Sequence, residues 1–166
     1  ASLPASWRTR MLVAEFEPGF IDAYDGEDQV GDVLLAMRTE PFWLSDFQVM
    51  RTPRGRRDLL AENFSSRGLK WIRRLASPAP GWANLRFQRD VARLPEALDR
   101  RAWLLAWVFA TISRQFGQAI TVAKEGQRRF GGELFAQLTS ASSSHLRWDM
   151  LRNFPGQVCQ RLFRHT

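Results

Sequence analysis

Gly126-Gln127-Arg128-Arg129 are the residues of this chain whose types and spacing best fit phosphate chemistry. A guanidinium fork matches phosphate oxygens two at a time. Gly126, lacking Cβ, can take a positive φ and bring backbone amides close to an anion. Ile120, Thr121 and Val122 ahead of it read as a short strand, and Leu134, Phe135 and Leu138 behind it follow a helical pattern. A helix start would aim further amides at the same anion. In an enzyme, Arg128, Arg129 and the amides near Gly126 would neutralise a nucleotide or phosphodiester transition state. Glu125 or Glu133 would orient the arginines, position water or help hold Mg²⁺, which prefers oxygen ligands. The bland alternative is a solvated arginine turn. The chain contains neither GxxxxGK[ST] nor GxGxxG, so P-loop and Rossmann nucleotide binding find no support.

A second set of basic residues fits a nucleic-acid backbone. Arg51, Arg54, Arg56 and Arg57 cluster on a Pro/Gly turn, and Lys70, Arg73 and Arg74 lie on a short helix beside Trp71. Contacts of this kind bind DNA without reading its sequence, and they weaken steeply with salt. An ordinary solvated surface is the competing reading, and no helix-turn-helix signature points to base recognition.

The charge balance sharpens the choice of partner. The net charge is +7, yet Met11 to Met37 holds seven acidic residues and no Lys or Arg, so the rest of the chain carries +14. Such a surface suits phosphate-bearing partners, acidic proteins or anionic lipids. The acidic stretch reads as a solvated loop, as a partner for the arginine clusters, or as a metal-binding or nucleic-acid-mimicking segment. Asp22, Asp25 and Asp28 do not match an EF-hand. One cysteine, Cys159, and two histidines, His145 and His165, leave little material for zinc sites or serine–histidine triads. The longest apolar run, Ala102 to Ala110, is about half of a ~20-residue membrane span, and the start lacks a signal-peptide pattern. The expected location is the cytoplasm.

Elements must position these residues. At 166 residues, 45% of them hydrophobic, the chain can bury a real core, and a single domain spanning 1–166 is expected. Met11–Phe16 and Phe42–Met50 read as strands, Val30–Met37 as strand or helix, and Asp58–Phe64 and Leu69–Leu75 as short helices. Ser77–Gly81 reads as a loop, followed by alternation at Ala83, Leu85 and Phe87. The strongest helical pattern runs from Leu94 to Phe116, opens near Pro95 and ends at Gly117. Trp103 and Trp107 pack into a core or stack on bases. Thr139–Ser144 reads as a polar linker or cap, and Pro155-Gly156 splits two short helical pieces. Strands mixed with helices give an α/β or α+β class with a helical C-terminal part.

The glycine–arginine frame resembles the ParB/sulfiredoxin superfamily, whose Gly-x-x-Arg signature, often GERR, sits where a strand turns into a helix. Gly126-Gln127-Arg128-Arg129 fills that frame, with VAKE ahead of it. The resemblance implies an α/β ParB/sulfiredoxin-like small mixed sheet with helices, and Gly126, Gln127, Arg128 and Arg129 at a nucleotide-phosphate turn. Gln127 stands where sulfiredoxins carry their reactive cysteine, so sulfiredoxin chemistry is not implied. The match covers residues 118–138 closely, Gly131-Gly132 interrupts the expected helix, and the family's upstream arginine box has no counterpart.

Length, charge and motif together resemble the plasmid-encoded fertility-inhibition factors of that superfamily. These suppress conjugative DNA transfer, T-DNA transfer included, and are associated with ATPase and DNase activities. The implied substrate is ATP, the implied cofactor Mg²⁺, and the implied partners DNA, nucleotide and type IV secretion or coupling components. Two other functions fit the residues: a non-enzymatic inhibitor of the transfer machinery or its DNA, and a nucleic-acid-binding adaptor.

Overall fold

A computed structural model of the chain describes residues 9–20, 26, 28–53, 57–75, 78–94 and 98–162; for residues 53, 57, 73, 92 and 154–162 it describes the backbone alone. Among these residues the class is mixed α/β, with one antiparallel three-stranded sheet and six α-helices. The chain divides into two compact units, Ala14–Phe87 and Ala1–Val13 with Gln88–Thr166. We call them the sheet unit and the helical unit.

Strands β1 (Val13–Phe16), β2 (Phe42–Pro53) and β3 (Pro78–Arg89) pair in the order β1-β3-β2. The alternation read at Ala83, Leu85 and Phe87 points those side chains inward, and all three are buried. Phe16 meets Phe87 edge-on at 5.9 Å. Ser45 Oγ donates to the Arg86 carbonyl at 3.0 Å, and Arg86 pairs with Glu15 at 3.1 Å. The expected loop Ser77–Gly81 is corrected from Pro78 onward: Pro78 to Gly81 open β3. Proline is tolerated at a strand start, where a missing N–H costs the ladder little.

Helix α1 (Val30–Met37) resolves the strand-or-helix choice. The Asp32 carboxylate accepts from the Gln29 amide at 3.0 Å, and Val30, Val33 and Met37 fall on one buried face. Helices α2 (Arg57–Asn63) and α3 (Ser66–Leu75) follow.

In the helical unit, a 3₁₀ turn (Val91–Arg93) precedes α4 (Arg100–Ile112), α5 (Phe116–Phe130) and α6 (Glu133–Leu162). Asp99 caps α4, its side chain accepting from the Ala102 amide at 2.8 Å. Val91, Leu94, Trp103, Val122 and Phe135 form the buried core, which confirms the packing role expected for Trp103. Trp107 lies against that core, and its Nε1–H donates to Ser142 Oγ at 2.9 Å.

Three sequence expectations fail here. Helix α4 starts at Arg100 rather than at Leu94 and stops at Ile112 rather than at Gly117, which lies in the first turn of α5. Thr139–Ser144 is not a linker but part of α6, where Thr139, Ser142 and Ser143 each donate to the carbonyl four residues back. Those bonds satisfy hydroxyls that would otherwise compete with the helix. Nor does Pro155-Gly156 divide the backbone, since α6 runs to Leu162. Among the described residues no helix is long and apolar enough to cross a membrane.

Ser142 is fully buried, and it is the acceptor for the Trp107 indole. Ser142→Ala strands that N–H and should cost about 1–3 kcal/mol in urea denaturation. Ser143 returns its hydrogen bond to its own helix at Thr139. Ser143→Ala should therefore shift stability by only about 0.5 kcal/mol.

Candidate functional site

The glycine–arginine frame does not form the expected strand–turn–helix. Residues 120–129 lie inside α5, so the strand at Ile120–Val122 and the turn at Gly126 are both corrected to helix. Ala119, Val122, Ala123 and Gly126 are buried at helical spacing, and that face outweighs the β-branched run. Thr121 donates to the Gly117 carbonyl at 3.0 Å, as a threonine in a helix does.

Gly126 is required for closeness, not for a turn. A Cβ there would stand 2.5 Å from the Phe135 ring, which is fully buried. The frame also sits at the wrong pole for an anion. Arg128 and Arg129 occupy the last turn of α5, where carbonyls and the negative end of the dipole point outward. There Gln127 C=O accepts from the Gly131 amide at 2.8 Å.

The candidate catalytic side chains are engaged by neighbours in the helical unit. Glu125 pairs with Arg128 at 2.9 Å on an exposed face. The Arg129 guanidinium lies over Trp103 at 5.9 Å and Phe130 at 5.6 Å. Glu133 starts α6 and accepts from Gln137 Nε2 at 3.0 Å. Among the described residues no group of three His, Cys, Asp or Glu side chains is placed to share a metal ion.

The expected DNA-binding residues belong to the sheet unit. Arg51 lies in β2, not in a turn, and Nη1 donates to the Pro78 carbonyl at 3.4 Å. Arg54 and Arg56 lie outside the described residues, and Arg57 opens α2. Lys70, Arg73 and Arg74 are on α3, with Arg74 over the Trp71 ring at 6.0 Å.

A cleft in the helical unit gathers residues that the sequence reading left unassigned. It has a volume of about 680 Å³ and is lined by Arg114, Phe116, His145, Trp148, Asp149, Leu151 and Arg152. His145, Trp148, Asp149 and Arg152 recur on α6 at spacings of three and four, so they share a face. His145 stacks on Phe116 with ring centroids 5.5 Å apart. Trp148 is 73% exposed, an indole face open to a ligand.

Arg114 comes to this cleft through a strained backbone. Its φ is 58°, and it is the one non-glycine residue with positive φ among those described. Its amide donates to the Thr111 carbonyl at 2.9 Å, and the Gln115 amide donates to Ala110 at 2.8 Å. Together these bonds make a Schellman cap, whose left-handed position glycine usually fills. Here an arginine fills it, and its guanidinium reaches across to Asp149. Left-handed backbone costs a residue with Cβ roughly 1–2 kcal/mol.

The cleft therefore offers planar aromatic faces beside two guanidiniums. Its volume suits a ligand of nucleotide size. The clue in the sequence is the 145/148/149/152 spacing, which falls within the helical piece expected at His145–Arg152.

Comparison with protein-family models, with curated proteins and with solved structures finds no match to this chain.

Two substitutions should separate in stability, one lowering it and the other not. Gly126→Ala gains about 1 kcal/mol of helix propensity but drives a methyl into Phe135, for a net loss of up to about 2 kcal/mol. Arg114→Gly relieves the left-handed cap and gives up one exposed ion pair, so it should leave stability unchanged or raise it by about 1 kcal/mol. Thermal unfolding of the two variants beside the parent chain checks both signs.

Proposed function

We propose that the chain is a nucleic-acid-binding protein that takes a nucleotide unit of single-stranded DNA into the cleft of its helical unit. The observation that carries this reading is the exposed Trp148 in a cleft that Arg114 and Arg152 also line. Every base has a π-face, so an indole can hold any of them, and guanidiniums hold the adjoining phosphates. Bases within a duplex are already stacked, so this arrangement favours single strands.

The net charge of +7 supports a polyanionic ligand. The retained strain at Arg114 supports a role for its side chain beyond folding. Asp149 holds the Arg114 guanidinium in place and leaves it further donors for phosphate.

Binding of this kind requires no hydrolysis. The ATPase and DNase reading rests on Arg128, Arg129, a carboxylate at Glu125 or Glu133 and the amides near Gly126; of these, a continuous helix uses the amides in its own hydrogen bonds. The implied suppression of conjugative transfer rests on length, charge and that motif together. The cleft proposal shares the charge but not the motif.

Fluorescence-anisotropy titration of a labelled single-stranded oligonucleotide tests the reading. Trp148→Ala should weaken binding by about 1–3 kcal/mol, and a duplex of the same sequence should bind less tightly at equal salt. Arg152→Ala should weaken binding and flatten its salt dependence. Unchanged affinity in Trp148→Ala, with the protein folded, would remove the cleft from consideration.

A further inference from the structure

Helix α3 of the sheet unit, Ser66-Arg-Gly-Leu-Lys-Trp-Ile-Arg-Arg-Leu75, is sharply divided around its axis. At 100° per residue, Arg67, Lys70, Arg73 and Arg74 fall in one sector, and Gly68, Leu69, Trp71, Ile72 and Leu75 fill the remainder. No acidic residue interrupts the helix. Leu69 and Ile72 are half-buried, whereas Trp71 is 53% and Leu75 is 76% exposed.

The exposed apolar surface extends beyond α3. Phe64, just before the helix, is exposed, and its Cβ lies 3.4 Å from where a Gly68 Cβ would stand. Leu59 on α2 is exposed as well. At the border between the two sectors, Arg74 lies over the Trp71 indole at 6.0 Å. That pairing places a cation and an amphipathic ring at one level, as the headgroup region of a bilayer requires.

We propose that α3 docks on an anionic lipid surface, with Trp71 and Leu75 entering the boundary between headgroups and acyl chains. Arg67, Lys70 and Arg74 lie on the basic sector beside them and meet lipid phosphates. Charge complementarity selects a polyanion, and the aliphatic residues decide which kind. Leu59 and Leu75 have no planar face on which a base could stack, whereas both gain by leaving water for acyl chains. Asp58 and Glu62 are on α2, so α3 itself meets the surface without a carboxylate. One short helix gives reversible attachment, not insertion.

Co-sedimentation of the whole chain with vesicles tests this, comparing phosphatidylcholine alone with an equimolar mixture of phosphatidylcholine and phosphatidylglycerol. Binding should appear on the anionic vesicles and fall as salt rises. Lys70→Gln or Arg74→Gln should weaken it by about fivefold each. The double variant Trp71→Ser with Leu75→Ser should weaken it by on the order of tenfold or more, with circular dichroism unchanged. Trp148→Ala should leave vesicle binding untouched, which separates this surface from the cleft. Absence of binding to anionic vesicles overturns the proposal. So does binding that the apolar double variant retains, or a Lys70→Gln effect confined to oligonucleotides, which would make α3 a nucleic-acid face.

Discussion

The approach of the Phe135 ring to the backbone of Gly126 is the contact on which the helical unit depends. It lets α5 and α6 pack with a ring where a side chain would otherwise stand. Gly131 and Gly132, with φ of 66° and 85°, reverse the chain in the short space between the two helices. Phe135 stacks on Phe130, which meets Trp103 edge-on, so one aromatic run extends from α6 through α5 to α4. Arg129 lies over Trp103 and Phe130, and Arg100 lies over Phe135. Of the two guanidiniums that resemble phosphate ligands in the sequence, Arg129 lies over aromatic faces and Arg128 pairs with Glu125.

Much of the fold was legible in the sequence. Period-two alternation at Ala83, Leu85 and Phe87 fixed a strand because one face of β3 is buried. Helices α2 and α3 were readable because serine and glycine punctuate them. The segment 118–138 was misread for a physical reason. Ile120, Thr121 and Val122 carry a strand preference, but Ala119, Val122, Ala123 and Gly126 repeat with the helical period, and tertiary burial rewards the period. A glycine that permits close packing also looks identical, in sequence, to one that permits a turn.

The same ambiguity hides the cleft in the sequence. Gly117 is a conventional helix stop, yet the chain turns at Arg114, through a left-handed residue. Serines at 140 and 142–144 read as a linker, so the helical face from His145 to Arg152 was never joined to the rest of α6. Neither feature carries a motif. Both follow from which hydrogen bonds the backbone closes. The outcome is a cationic chain with two differently built surfaces: rings and guanidiniums in a cleft, and cations beside aliphatic side chains on a short helix.

Leu12 and Arg89 bear on how this protein assembles. The Arg89 amide donates to the Leu12 carbonyl at 2.9 Å, and the Arg89 side chain donates to the Met11 carbonyl at 2.7 Å. These bonds belong to the helical unit, yet everything from Ala14 to Phe87 lies between their ends in sequence. During synthesis the sheet unit is complete while the helical unit still lacks most of its chain. Folding of Ala14–Phe87 then shortens the effective loop that the Leu12–Arg89 bonds must close. Arg89 is the last residue of β3, so its bond to Leu12 continues the pairing of β3 with β1. The chain thus leaves the helical unit and rejoins it at one place, where Leu12 and Arg89 are hydrogen-bonded.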